Sequence, residues 1–427
     1  MRQKLLIVGG SYAASEIASH ARECGYDEDI IIVSEELELP YQRPPLSKAY
    51  LKEHTQKVMP LKSAAFYSAK NIELELGTKV LGIERGANTA LLSNGTHVTF
   101  DTLALAVGAR AQRLLCTGAD AKNVYYLRSI EDARLLSAAS AGAEKVVVIG
   151  GGFIGLEVAS ALAQQLKQVT VVETQNRVLA RVVSPEIAEF VSSAHVGHGV
   201  KLLTCRAVQS FVGENGVVRK VLLDGGTSLD ADIVIFGIGS APNMELAQQL
   251  GLHFENGIIV DSRSRTSRAN VFAAGDCTRF FSPFNLNGIP VESVQNATDQ
   301  ARVAGSVIAG KDNVYETLPW FWSDQYDLKL QIAGLAVGAT ERIARPTVTS
   351  GISVFHFRND ACICVESVNG PREHIAARRL LARERITKQQ LQDVDFDMPA
   401  LLKLRALPTD GESVNRADEQ KTKVSSD

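Results

Sequence analysis

The sequence predicts an α/β protein with two doubly wound, mainly parallel sheets and a smaller α+β domain at the C-terminus. Three observations carry this. A strand–glycine turn–helix–strand unit opens the chain, a second copy of it starts near residue 146, and the texture changes after about residue 317.

In the first copy, residues 5–8 form an apolar strand. Gly9-Gly10-Ser11 then turns into a helix over 12–24, and a second strand runs over 30–34. The second copy has a strand at 146–149, the turn Gly150-Gly151-Gly152, a helix, and a strand at 169–172. Each copy is followed by a later apolar strand ending in glycine, at 103–108 and at 233–239. Alternating strands and helices favour parallel sheets. After residue 317, stretches 328–333, 351–357 and 361–365 read as strands, with Arg358-Asn359-Asp360 as a hairpin turn before the last. Beyond Pro408 the chain is polar and predicts a disordered tail. The expected division is 1–110 with 241–317, then 111–240, then 318–408, with 409–427 as the tail.

The composition excludes several classes. The 427 residues are 45% hydrophobic and 22% charged, as in a soluble globular enzyme, and a net charge of −3 gives no field for nucleic acid. No apolar run is long enough to span a bilayer, so no membrane association is expected. The apolar run after Met1-Arg2-Gln3-Lys4 is too short for a signal-peptide core, and a cytoplasmic protein is expected, a monomer or weak dimer. The six cysteines, Cys24, Cys116, Cys205, Cys277, Cys362 and Cys364, form no C-x-x-C pair, so neither a redox dithiol nor a metal site is expected. Cys362 and Cys364 share one face of a strand and should pack in the core.

The second glycine turn reads Gly150-x-Gly152-x-x-Gly155, followed by Phe153 and Ile154 at the helix start. The first glycine allows the tight turn, the second a close approach of backbone to a pyrophosphate, and the third helix–strand packing. Free N–H groups at the helix start then receive the phosphates. Glu173 closes the next strand, where a carboxylate accepts both ribose hydroxyls and repels a 2′-phosphate. NAD(H) is therefore favoured, although Arg177 and Arg181 lie just beyond, keep NADP(H) open, and make Arg181 a candidate contact. The first turn reads Gly9-x-Ser11-x-x-Ala14, with Tyr12 and Ala13 opening the helix and Glu35 closing the next strand. Ser11 departs from the pattern, since a Cβ must fit where backbone nears phosphate. Two Rossmann-like dinucleotide-binding domains follow. A third element, Asn270-Val271-Phe272-Ala273-Ala274-Gly275-Asp276, delivers an aspartate that suits a flavin polyol hydroxyl or, equally, a helix N-cap.

These elements, in this order, resemble the two-dinucleotide-fold flavoprotein disulfide reductases, with their glutathione-reductase-like fold. The segments Leu39-Pro40-Tyr41-Gln42-Arg43-Pro44-Pro45-Leu46-Ser47-Lys48, Glu292-Ser293-Val294-Gln295-Asn296 and Pro319-Trp320-Phe321-Trp322-Ser323-Asp324-Gln325 narrow the match. They resemble the ferredoxin reductases of bacterial oxygenase systems, the putidaredoxin reductase and biphenyl-dioxygenase ferredoxin reductase type, and also apoptosis-inducing factor. The resemblance reaches from the N-terminus to about Pro408. It implies FAD contacts at Ala13, Glu35, Arg43, Lys48, Val80, Arg128, Asp276 and Val294. Lys48 is implied to lie near the flavin N5 edge and to pair with Glu157. Trp322, with Trp320, is implied to wall the isoalloxazine, and Gly237-Ile238-Gly239 to line the nicotinamide approach.

The resemblance implies NADH as hydride donor and FAD as acceptor. Disulfide-reductase relatives carry cysteines beside the flavin, but the stretch 40–48 has none. Electrons are therefore expected to pass directly, one at a time, to a 2Fe–2S ferredoxin serving a Rieske-type oxygenase or cytochrome P450. Arg378, Arg379, Arg383 and Arg385 fall in a predicted helix that offers such an acidic carrier a basic face, or is simply solvated. The alternatives are a rubredoxin or other small-acceptor reductase on the same fold, or a redox-sensing or assembly protein like apoptosis-inducing factor.

Overall fold

A computed structural model describes residues 3–53, 57–347 and 350–406. The tail expected at 409–427 lies outside the described residues. Three five-stranded sheets organise the chain.

The first sheet runs in the order Val271–Ala273, Thr102–Leu105, Lys4–Val8, Asp29–Ser34, Ile72–Leu76, with every pair parallel. Its central strand is buried throughout Leu5, Leu6 and Ile7, as expected of a strand covered on both faces. The Tyr12–Glu23 helix crosses the Val294–Ile308 helix at close range. A methyl group at Gly305 would fall 2.9 Å from the Ile17 carbonyl oxygen, so only glycine permits the approach.

The second sheet repeats the plan in the order Lys201–Leu203, Gln168–Val172, Lys145–Ile149, Ile233–Phe236, Val124–Tyr126, again all parallel. The chain passes between the two units through strands Ala109–Ala111 and Ser240–Pro242, which pair antiparallel.

The two long apolar runs end earlier as strands than expected, at Leu105 and Phe236 rather than at the glycines Gly108 and Gly239. The reason is steric. After the last ladder residue the chain leaves the sheet and crosses over the glycine turn, so that a Cβ on Gly9 would lie 2.1 Å from the Ala106 oxygen and one on Gly150 2.4 Å from the Gly237 oxygen.

The third sheet is antiparallel, in the order Trp320–Gln325, Leu328–Gly334, Ala361–Val368, Ile352–Arg358, Glu341–Pro346. Asn359 and Asp360 turn its hairpin with φ of 48° and 66°, the twist that flanking strands favour. Helices Pro371–Leu381, Lys388–Gln392 and Met398–Ala406 follow the sheet, and Phe355, Phe357, Leu380, Ile386 and Met398 fill the core between them. Cys362 and Cys364 are buried and free. Among the described residues, no helix is long and apolar enough to cross a membrane.

Candidate active site at the junction of the three sheets

Two cradles stand at the C-terminal edges of the parallel sheets. In the second, Gly150 has φ +104° and a Cβ on Gly155 would lie 2.1 Å from the Gly150 oxygen, so both positions exclude a side chain. Gly152 differs: a Cβ there would meet nothing closer than the Gly237 oxygen at 3.7 Å. The space is left open in front of the Phe153–Ala163 helix, whose N-cap Gly152 offers no side-chain acceptor. Helices starting after Ser129, Ser184 and Ser293, in contrast, are each capped by the serine hydroxyl. Glu173 Oε2 accepts the Gly151 N–H at 2.7 Å and Oε1 accepts the Gln175 N–H at 2.8 Å, which fixes the carboxylate beside the turn. Arg177 folds back to donate to the Ala180 carbonyl at 3.0 Å. Arg181 instead reaches towards Gly239, where a Cβ would lie 3.9 Å from its Nη2. Gly237 and Ile238 complete that wall. Ile154 is partly exposed, and Phe153 packs on Phe321 with ring centroids 4.4 Å apart.

The first cradle has the same uncapped helix start, because the Ser11 hydroxyl is turned away to accept from Arg43 Nε at 3.1 Å. That bond spends a lone pair and leaves the Ser11 proton free to donate. Arg43 also donates to the Arg128 carbonyl at 2.9 Å and pairs with Glu36. Arg128 in turn pairs with Asp276 at 2.6 Å. Ala13, Ala14 and Val80 are buried, and a Cβ on Gly275 would sit 3.4 Å from that of Ala13. The 294–308 helix begins at Val294, capped by Ser293. Glu35 is exposed and pairs with Lys79 at 3.1 Å, while the neighbouring Glu36 turns inward and accepts from Tyr41 Oη at 2.6 Å. Burial raises the Tyr41 phenol well above its ordinary range, so it stays a donor to Glu36. Both cradles thus offer open helix starts, glycine-lined space and a nearby carboxylate, which fits two dinucleotides.

Between the cradles, Lys48 Nζ lies 2.8 Å from Glu157 Oε2. Glu157 is 3% exposed and also accepts hydroxyl protons from Ser47 and, at 2.6 Å, from Ser323. A buried carboxylate needs such donors, since desolvation otherwise drives it to the neutral form. Ser323 belongs to the Trp320–Gln325 strand, whose residues alternate between faces. Phe321, Ser323 and Gln325 face the nucleotide-domain helices. Trp320 and Trp322 share the other face, with centroids 5.5 Å apart, and Arg378 stacks 3.9 Å over Trp320.

Sequence reasoning did not single out Glu36, Ser47, Ser323, Gln325, His195 or Glu292 as site residues. Four of them lie inside the quoted segments, so the signal was present; Glu36 and His195 carry no local signal. Glu292 accepts from the Ser240 hydroxyl, and the protein packed around it raises its carboxyl above the usual range despite that bond. The expected arginine helix is corrected. Of the four expected arginines the Pro371–Leu381 helix holds only Arg378 and Arg379, because the chain turns after Ala382 to bury Ile386, and Arg385 is tied to the Asn359 carbonyl at 2.8 Å.

Residues 3–301 match the family model described as pyridine nucleotide-disulphide oxidoreductase, and residues 320–402 match that of the reductase C-terminal domain. The chain is 41% identical to rhodocoxin reductase of Rhodococcus erythropolis over 92% of its own length and 93% of that protein. It is 37% identical to a rubredoxin-NAD(+) reductase of Pseudomonas putida, over 86% of this chain and 96% of that one. The solved covalent complex of putidaredoxin reductase with putidaredoxin superposes with a TM-score of 0.89 at 35% identity, covering 95% of this chain and 99% of that one.

Proposed function

We propose, for a chain that belongs to the pyridine nucleotide-disulphide oxidoreductase family, that it is an FAD-dependent NADH:ferredoxin reductase feeding a Rieske-type oxygenase or a cytochrome P450. The observation that carries this reading is the Lys48–Glu157 pair between two glycine cradles, with no cysteine in the 40–48 stretch beside it. Bound there, FAD would supply a hydride acceptor for the nicotinamide and single-electron release that suits an iron–sulfur acceptor.

The chain's own residues then have assigned tasks. Gly9, Ser11, Tyr12, Ala13 and Ala14 seat the FAD pyrophosphate, with Arg43, Arg128, Asp276, Val80, Val294 and Glu35 around the rest of the molecule. Gly150, Gly152, Phe153, Ile154 and Gly155 seat NAD, with Glu173 on the ribose and Arg181 and Gly237-Ile238-Gly239 along the approach. Lys48 holds positive charge beside the flavin, Glu157 holds Lys48, and Trp322 covers the ring. Domain limits of 1–110 with 241–317, 111–240 and 318–408 agree with this division of labour. The acceptor is a 2Fe–2S ferredoxin, met by a monomer or weak dimer in the cytoplasm. The relative named for a rubredoxin favours a second reading in which rubredoxin is the acceptor.

The test is NADH-driven cytochrome c reduction with and without a 2Fe–2S ferredoxin or a rubredoxin. Strong stimulation by ferredoxin, with NADPH a poor donor, is expected. Stimulation by rubredoxin alone would overturn the choice of acceptor. Failure of NADH to reduce the flavin would overturn the enzyme.

A further inference from the structure

Behind Glu157 runs a second set of buried polar side chains that the proposed chemistry does not use. Gln325 Nε2 lies 3.1 Å from Ser323 Oγ, His195 Nε2 lies 2.8 Å from Gln325 Oε1, and Tyr326 Oη lies 3.2 Å from His195 Nδ1. Ser323, Gln325 and His195 are 0%, 2% and 0% exposed.

The direction of every bond follows from its end. A carboxylate has only lone pairs, so the Ser323 proton goes to Glu157. Ser323 must then accept, and only the amide nitrogen of Gln325 can donate to it. The Gln325 oxygen therefore faces His195, which must carry its proton on Nε2. That leaves Nδ1 as a lone pair for the Tyr326 hydroxyl. One charge fixes the orientation of four side chains, and all their dipoles point positive end first at Glu157. Since a carboxamide does not pass a proton along, the chain orients and does not conduct.

A second observation stands independently of these bonds. Tyr326 occupies the left-handed region with φ of 55°, in the tight turn after the Trp320–Gln325 strand. Asn or Gly would take that conformation at lower cost. A tyrosine is held there by its ring, which stacks on His198 at 3.8 Å, and by its backbone N–H, which donates to Ser160, one helical turn beyond Glu157, at 2.8 Å.

We propose that Ser323, Gln325 and His195 are positioning residues that hold the Glu157 carboxylate aligned on Lys48, so that the Trp320–Gln325 strand, braced by His195 of the Pro185–Gly197 helix, sets the geometry of the junction between the two nucleotide sites. This rests on the reading that Lys48 and Glu157 flank the flavin. The groups facing Glu157 are Lys48, Ser47 and Ser323; those facing His195 are Gln325, Tyr326 and, from its own helix, His198. Burial lowers the His195 imidazole to about 4, which agrees with a neutral ring in one tautomer.

The experiment uses the FAD-loaded protein and follows single-turnover flavin reduction by NADH. It compares wild type with Ser323→Ala, Gln325→Leu and Ser323→Thr, with Lys48→Met and Glu157→Gln as references. Losing one charge-assisted donor frees the carboxylate to swing off Lys48, so Ser323→Ala should slow flavin reduction by roughly tenfold. Gln325→Leu should slow reduction in the same direction, and Ser323→Thr, which keeps the hydroxyl, should restore the wild-type rate. Histidine nitrogen NMR supplies a readout apart from turnover: His195 should show one Nε2–H tautomer, unchanged from about pH 5.5 to about pH 8. A reduction rate unchanged in Ser323→Ala and Gln325→Leu, while Glu157→Gln slows reduction, would overturn the positioning role and leave the site reading standing. References that reduce as fast as wild type would overturn both. A His195 that titrates near its ordinary value would overturn the one-way chain.

Discussion

Replacing Glu173 by Gln changes charge without changing shape, and its consequences can be worked out. The carboxylate now accepts two backbone N–H bonds, from Gly151 and Gln175. An amide can accept only one, and its NH2 group must face the other N–H. Leaving that donor unsatisfied costs about 1 kcal/mol at a site partly open to water. On the ligand side, loss of charge-assisted bonds to ribose hydroxyls costs about 1.5–3 kcal/mol, or roughly tenfold to a hundredfold in kcat/KM for NADH. NADPH gains instead. A 2′-phosphate of about two negative charges near 4 Å from a carboxylate is repelled by about 2 kcal/mol even at a water-like dielectric, so removing the charge is worth roughly thirtyfold. Arg177 does not offset this repulsion, because it is spent on its own turn. The NADH/NADPH preference, measured as the ratio of kcat/KM values with a saturating acceptor, should fall by about two and a half to three and a half orders of magnitude. A ratio that moves less than about threefold would refute the assignment of Glu173 to the ribose and leave it as an anchor of the glycine turn alone.

Four further outcomes are expected. Gly150→Ala forces a Cβ to 2.4 Å from a backbone oxygen at positive φ, so NADH-driven reduction should fall by about a hundredfold or more while FAD content is retained; titration of both cofactors checks this. His195 has its folded value lowered to about 4, below the unfolded value near 6.5, so its contribution to stability is full above about pH 6.5 and is lost as pH falls towards 4; melting temperatures of His195→Gln should depend less steeply on pH in that window, against a wild-type loss of up to about 3 kcal/mol. Glu366, with no exposure, accepts the Ser184 N–H at 3.0 Å, so Glu366→Ala, which leaves that buried donor unsatisfied, should lower stability by about 1–3 kcal/mol, read by thermal melts with FAD content as control. Thiol reagents should label exposed Cys205 first and leave Cys277 and Cys362 untouched, burial having pushed their thiols up to about 12, and labelling of Cys205 should not slow NADH-driven reduction.

The glycine turns were legible because their chemistry is local: a tight turn, a close backbone approach and a helix start all fall within a few consecutive residues. The strand ends were not, since Ala106-Val107 and Ile238 continue the apolar run while the backbone has already left the sheet to cross the turn. Hydrophobicity records burial, and these residues are at least partly buried, but it does not record ladder pairing. The arginine helix failed for a related reason: charge and helix propensity favour continuing through Arg383, whereas the burial of Ile386 requires a turn.

The Trp320–Gln325 strand shows where the limit lies. Its tryptophans made the segment specific by resemblance, yet a Trp on a strand face has no local signature of the ring it covers. The alternate residues, Phe321, Ser323 and Gln325, are ordinary in composition, and their partners Phe153, Glu157 and His195 are far away in sequence. What they have in common is visible only through the carboxylate they serve. Donors from two separate segments, Ser47-Lys48 and Ser323, converge on the buried Glu157 carboxylate, and the Ser323 donor is fixed by satisfying its own remaining hydrogen-bonding groups. A pattern of obligations between distant polar atoms has no period along the chain. It can be deduced once the neighbours of each polar atom are known.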